Sequence, residues 1–505
     1  MVTTAEALPM TEPDGSSQRS GEVDVLDAVR TMFRRDSLYM IIGSLQTVLA
    51  LLVTPVLTHI LGVAEFGQLA TALALLQVLV AVSNLALQVA VQRAYYTDDG
   101  RRRAQSLAAA GLVVTATITV AAFLSSPTWA PALGFKHHEV LIRLVVVYSG
   151  ASAATQLGLA LLRCSERIKT YAAVSALQSV GGQLLGIVLL LSFHRTATVY
   201  VAGLAAAQGG ALLITLVRAP PRWQGRAALR RAREALRFSI PLVPQQVATF
   251  VIVASDRLVV QRYKGSVAVG RYQVAYNIGA LAIILLTLLN GAWTARFFSI
   301  KTDSDRHRVI ATSRDILYRI LLPVTLGIGL GSGLVLRFWV PSTYHIAGLP
   351  LIVALVDVAT FPAWSAASSQ RALLALGRTK AMAMSTGFAA GLNLVLNVLL
   401  VPSMGILGSA IATLISYVAQ ALASAVLAHR AGVRQFRSPP VLTVAIVAVG
   451  AATVASGLVP LTPIGTWIRV AGSLGCLFGL GWIFRRPLTH GRSRSPRASY
   501  PAGPA

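Results

Sequence analysis

Apolar residues in this chain fall into repeated blocks of about 20, separated by short hinges rich in arginine and lysine. A block of that length crosses a hydrocarbon core of about 30 Å as a helix. The pattern predicts fourteen spans, at 37–61, 68–90, 106–127, 140–162, 171–193, 197–217, 238–262, 268–295, 315–336, 346–369, 379–400, 405–428, 439–459 and 465–484. The fold class is therefore an all-α polytopic membrane protein. Residues 1–36 form a polar N-tail. Within it Val25, Leu26, Val29, Met32 and Phe33 recur at helical spacing beside Arg30, Arg34 and Arg35, reading either as an interfacial helix or as an extension of the first span. The arginine-rich linker 218–237 reads as a second interfacial helix, and 485–505 is a Pro/Ser/Arg-rich tail.

Composition agrees with this picture. The 505 residues are 55% hydrophobic and 12% charged, against about a quarter charged in soluble domains. A net charge of +26 raises the question of nucleic acid, but its distribution answers otherwise. Counted with the N-terminus inside, 35 of the 44 Lys and Arg residues fall in the two tails and in alternate hinges on the same side. Such asymmetry encodes orientation, with both termini cytoplasmic, and no nucleic-acid partner is expected. The remaining attraction is to anionic lipid headgroups. Residues 1–36 lack the apolar core and cleavage site of a signal peptide. Cys164 and Cys476 have no metal-ligand spacing, no phosphate-binding Gly-x4-Gly-Lys-Ser/Thr loop occurs, and no cofactor is expected.

The chain also repeats itself. At an offset of 203, Arg34, Gly62 and Gly67 meet Arg237, Gly265 and Gly270; at 211, Leu162, Arg167, Lys169 and Ala172 meet Leu373, Arg378, Lys380 and Ala383. Both sets fall at matching places in two six-span halves, an N-lobe at 37–217 and a C-lobe at 238–428. Six is even, so the halves are parallel repeats, and repeat transporters place their substrate between the repeats. The two spans at 439–484 stand outside the symmetry.

Of 18 acidic residues, only Asp256 and Asp357 lie within predicted spans and away from their edges, where charge is costly. Asp256 and Arg257 sit about 9 Å below the outer end of span seven, preceded on one face by Gln245, Thr249 and Ile252. One reading is a cavity-facing pair in which Arg257 holds an anionic substrate group with its planar fork. The other is a salt bridge locking the span to a neighbour, or Arg257 snorkelling outward. Asp357, near the middle of span ten with no base nearby, is the candidate ion-coupling site, able to bind and release a proton; a hydrogen-bonded structural acid is the alternative. Asn277, Asn393 and Asn397 join the candidate cavity residues. Among the other intramembrane amides are Gln46, Asn84, Gln156 and Gln183.

Arg233-Glu234-Ala235-Leu236-Arg237-Phe238-Ser239-Ile240-Pro241-Leu242-Val243-Pro244, then Ser255-Asp256-Arg257-Leu258 and Val269-Gly270-Arg271-Tyr272, resembles the second-half entry of bacterial polysaccharide flippases of the multidrug/oligosaccharidyl-lipid/polysaccharide exporter superfamily. Leu161–Arg167 with Tyr171-Ala172, and Leu61–Gly67, look like other recurring hinges of that family. The resemblance covers roughly 33–430. It implies two lobes around a cavity open alternately to each side, and a polyprenyl-diphosphate-linked oligosaccharide as cargo. The implied location is the bacterial cytoplasmic membrane. A polysaccharide polymerase and glycosyltransferases are the implied protein partners. By analogy with the lipid II flippase branch, the last two spans form a groove for the lipid tail. One departure is that Arg257 is the only base expected well inside a span. Two further readings rank below: a cation-coupled multidrug antiporter, which would want more membrane acids, and a membrane glycosyltransferase or polymerase, which would need a larger outer loop. The protein is expected not to be an enzyme.

Overall fold

Leu61 and Gly62 turn the first described helix, α1 (Leu49–Ile60), into α2 (Val63–Asn84). The computed structural model describes residues 49–97, 99–135, 138–285, 303–433, 438–459 and 462–485. The interfacial helix expected at 24–35, the first turns of span one and the C-tail lie outside the described residues. The remaining N-lobe helices are α3 (Leu87–Tyr95), α4 (Gly100–Trp129), α5 (Glu139–Cys164), α6 (Ile168–Ser192) and α7 (Ala197–Arg218). The linker forms α8 (Gly225–Ser239), an amphipathic helix against α3 and α4. There follow α9 (Val243–Gly279), α10 (Asp303–Trp339), α11 (Leu349–Val358), α12 (Thr360–Ala375), α13 (Thr379–Met404), α14 (Ile406–Arg430), α15 (Pro440–Leu458) and α16 (Pro463–Arg485).

Among the described residues there is no strand, and eleven helices are long and apolar enough to cross a membrane. Two shorter apolar helices, Leu49–Ile60 and Ile464–Gly479, accompany them. The chain is a multi-pass membrane protein. The count of fourteen spans is not reached among the described residues. Spans seven and eight are the two arms of α9, which folds back on itself at Gly265 (φ 79°, ψ 176°), a conformation that favours glycine.

Span two departs from expectation. It is broken between α2 and α3 by Leu85 and Ala86, both left-handed at φ 47° and 58°. Two such non-glycine residues in a row are costly. Asn84 compensates: its Oδ1 accepts from the Gln88 backbone N–H at 3.3 Å, and its Nδ2 donates to Gln156 Oε1 at 2.8 Å.

The 211-residue repeat is built into the backbone. The Arg167 N–H donates to the Leu162 carbonyl at 3.0 Å, and the Arg378 N–H to the Leu373 carbonyl at 2.9 Å. Between them Glu166 (φ 55°) and Gly377 (φ 68°) occupy the left-handed position that closes a helix with a six-to-one bond.

The largest buried cluster joins α2, α5 and α7 of one lobe to α9, α11 and α14 of the other. The last two helices pack on α10. Gly457 and Gly450 bring α15 close to α11; a Cβ on Gly457 would lie 2.7 Å from Leu351 Cα. Arg469 on α16 is 1% exposed and donates to the carbonyls of Leu330 (3.2 Å), Val459 (2.8 Å) and Ser456. Arg257 is thus not the only base deep in the helical region. The acceptors on α15 are backbone groups at its C-terminal end, where the helix dipole favours a cation.

Candidate functional site

The turn at Gly265 lays the second arm of α9 beside the first, so that residues 256–257 meet residues 272–277. Asp256 is fully buried and Arg257 is 5% exposed. Arg257 Nη1 donates to Asp256 Oδ1 at 2.6 Å and also to the Val253 carbonyl, while its Nε donates to Gln273 Oε1 at 2.9 Å. Asp256 Oδ2 accepts from the Tyr272 hydroxyl at 2.6 Å. The guanidinium lies 3.8 Å from the Tyr276 ring centroid, a cation–π contact that strengthens where water is excluded. The carboxylate and the guanidinium of this cluster are both engaged, as a buried pair requires.

The network then crosses between the lobes. Gln273 Nε2 donates to Asn277 Oδ1 at 2.6 Å, and Asn277 Nδ2 donates to Thr54 Oγ1 on α1 at 3.1 Å. In the other direction the Ser255 hydroxyl donates to Asn393 Oδ1 at 3.2 Å. Asn397, one turn along α13, donates to the same oxygen and accepts from the Ser409 hydroxyl at 2.7 Å. Asn393 and Asn397 are fully buried, Asn277 and Gln245 are half-buried, and Thr249 is exposed. Thr249 bonds the Gln245 carbonyl within its own helix. Five of the seven cavity candidates therefore belong to two hydrogen-bond networks that adjoin at Ser255 and Asp256, and Gln245 and Thr249 lie toward the start of α9, apart from them.

Asp357 stands elsewhere, at the end of α11. It is fully buried, and neither carboxylate oxygen has a hydrogen-bond partner among the described residues. Its helix packs against α9, α10 and α15. The Thr325, Thr360 and Thr453 hydroxyls on α10, α12 and α15 are likewise buried and unpartnered among the described residues. Glu65, one of the few hinge acids, works as a helix cap, its carboxylate accepting the Ala197 N–H at the start of α7 at 2.7 Å.

The family model described as "Polysaccharide biosynthesis protein" matches residues 33–301, which include the Asp256–Asn277 arm of the network. The chain belongs to that family. Over 280 residues it is 23% identical to the "Succinoglycan biosynthesis transport protein ExoT" of Rhizobium meliloti (strain 1021), covering 54% of this chain and 55% of that protein. It thus spans about half the length of the curated relative it matches. Among solved structures the fold is similar to "Lipid II flippase MurJ, inward closed conformation", with a TM-score of 0.62 at 12% identity over 92% of this chain and 99% of that one. It is also similar to an inward-facing multidrug resistance MATE family transporter of the MOP superfamily, with a TM-score of 0.59 at 14% identity over 80% and 96%. At these identities the likeness is one of fold.

As a polysaccharide biosynthesis protein the chain has an asymmetric pair of lobes. At the 203-residue offset Thr54 is the counterpart of Arg257, and the two are joined through Gln273 and Asn277. Sequence reasoning found the charged pair but not Gln273, Tyr272, Tyr276 or Thr54. A signal was present: Tyr272 and Tyr276, and Gln273 and Asn277, are each four residues apart and so share adjoining stripes of one helix face.

Proposed function

We propose that the protein is a flippase that carries a polyprenyl-diphosphate-linked oligosaccharide from the inner to the outer leaflet of a bacterial cytoplasmic membrane, for cell-surface polysaccharide synthesis. The observation that carries the reading is the family match over 33–301, which spans the whole N-lobe and the start of the C-lobe. The relative named for succinoglycan transport and the fold shared with a lipid II flippase support it. Both termini are cytoplasmic in this reading, by the arginine and lysine asymmetry. The cargo passes through by alternating access, and the protein performs no covalent chemistry.

In this mechanism the lobes rock about their shared core, and the Asn277–Thr54 bond is one that must break as they part. Separation frees Gln273 and opens Arg257 to a substrate diphosphate, whose oxygens replace Asp256 Oδ1 on the guanidinium. Asn277, Asn393, Asn397, Gln245 and Thr249 offer hydrogen bonds to sugar hydroxyls along the path. Asp357 serves as the coupling site, taking up a proton in one state of the lobes and releasing it in the other. A polysaccharide polymerase and glycosyltransferases act before or after this step.

Deletion of the gene tests the reading. Lipid-linked oligosaccharide should accumulate on the cytoplasmic leaflet while surface polysaccharide falls. Unchanged surface polysaccharide with raised drug sensitivity would instead indicate an antiporter of the same fold.

A further inference from the structure

A cavity of about 220 Å³ lies away from the Asp256–Arg257 network, between α3, α4 and α8 at the end of the N-lobe that carries the basic hinges. Its floor is Ala90, Ala94, Leu107 and Ala235, all buried in one apolar cluster. Among the described residues three guanidinium groups line it, from Arg93, Arg103 and Arg231, with Glu234 as the single acid. The arginines come from three different helices, and each has a partner. Arg93 lies 4.6 Å from the Phe238 ring centroid, Arg103 is 3.5 Å from Glu234, and Arg231 bonds Gln224. The linker is itself fixed, because the Arg222 N–H donates to the Gln105 carbonyl at 3.3 Å.

We propose that this pocket binds a lipid-borne phosphate at the cytoplasmic interface. Three positive charges against one negative select an anion, and arginine forks suit phosphate oxygens. The volume falls below the roughly 300–1,000 Å³ of pockets that enclose whole drug-sized ligands and suits a phosphate or diphosphate head. The apolar floor takes the first carbons of an attached chain. The amphipathic helix α8 forms one wall and puts the opening at headgroup level. Two lipids share this chemistry, the polyprenyl carrier and bulk anionic phospholipid.

Glu234 competes with the ligand for Arg103. Both side chains are about half exposed, so their mutual bond is weak and exchangeable. This gives the site an acid whose removal should strengthen binding. The inference concerns binding alone and holds whether or not the chain is a flippase.

The test uses the full chain in nanodiscs of neutral lipid, with farnesyl diphosphate as probe, read by calorimetry. Arg93→Gln with Arg231→Gln should weaken binding by roughly tenfold or more, since each loses a charge-assisted contact. Arg101→Gln with Arg102→Gln, an equal loss of charge on exposed residues outside the pocket, should change it less than about twofold. Glu234→Gln should tighten it severalfold, a gain that a misfolded variant cannot mimic. Repeating the titration in phosphatidylglycerol nanodiscs separates the sources: survival of binding assigns the site to the diphosphate carrier, and its disappearance by competition assigns it to bulk headgroups. Equal weakening by the two arginine pairs, or no binding of the probe at all, overturns the proposal.

Discussion

Gly67 and Gly270, 203 residues apart, make reciprocal contacts where α2 meets α9. A Cβ on Gly67 would lie 1.8 Å from the Ser266 carbonyl oxygen, and one on Gly270 would lie 2.2 Å from the Val63 carbonyl oxygen. Ser266 and Val63 are themselves separated by 203. Each half thus presses the same residue onto the same place in the other, the signature of a two-fold contact.

Gly67→Ala should therefore destabilise the closed packing, because the clash is with backbone and cannot be relieved by a rotamer change. A cost of about 1–3 kcal/mol is expected, read as a lower midpoint of thermal unfolding in detergent. Gly62→Ala is the control: nothing lies within 4 Å of its Cβ position, its φ is −62°, and its midpoint should stay near that of the parent chain.

Neutralising Asp256 or Arg257 alone strands a buried charge. Either Asp256→Asn or Arg257→Gln should cost about 3–5 kcal/mol. Asp256→Leu with Arg257→Met should recover a large part of that loss. A double-mutant cycle on unfolding midpoints measures the coupling; strictly additive losses would mean that the pair does not act as a unit. The double variant should fold but not transport.

Asp357→Asn should behave oppositely. The amide gives up no bond that the described residues make to either carboxylate oxygen. Stability should be unchanged or raised, while uptake of lipid-linked oligosaccharide into vesicles under a proton gradient slows. Full gradient-driven activity in this variant would remove Asp357 as the coupling site.

Asn84→Ala should weaken the break in span two. The variant loses the acceptor for the Gln88 N–H and the donor to Gln156, at a cost of about 1–2 kcal/mol. Hydrogen exchange should rise first over residues 83–90, before any global change. Uniform exchange along α2 and α3 would show that Asn84 does not hold the break.

The periodic apolar blocks made most helices legible, and the repeated hinges at Leu162–Arg167 and Leu373–Arg378 were readable as a duplication because a left-handed closure needs a fixed spacing. The break at Leu85–Ala86 was hidden, since neither residue favours a positive φ and the side chain that stabilises it, Asn84, draws two of its three partners from α5. Asp256–Arg257 announced itself by charge alone. Its cage did not, because Tyr272, Gln273 and Tyr276 come beside it only after the chain folds back at Gly265. The burial of Arg469 was hidden for a related reason: its acceptors are backbone carbonyls, which no side-chain pattern records.

Arg469 has a consequence for how the protein is made. A guanidinium within a segment raises the cost of releasing it into lipid, by up to about 2.5–3.5 kcal/mol at the helix centre, and here no acid on the same helix offsets it. Its acceptors, Leu330, Ser456 and Val459, all precede it in the chain. The final segment is then stabilised in the bilayer by α10 and α15, which are synthesised before it, so its insertion depends on both predecessors.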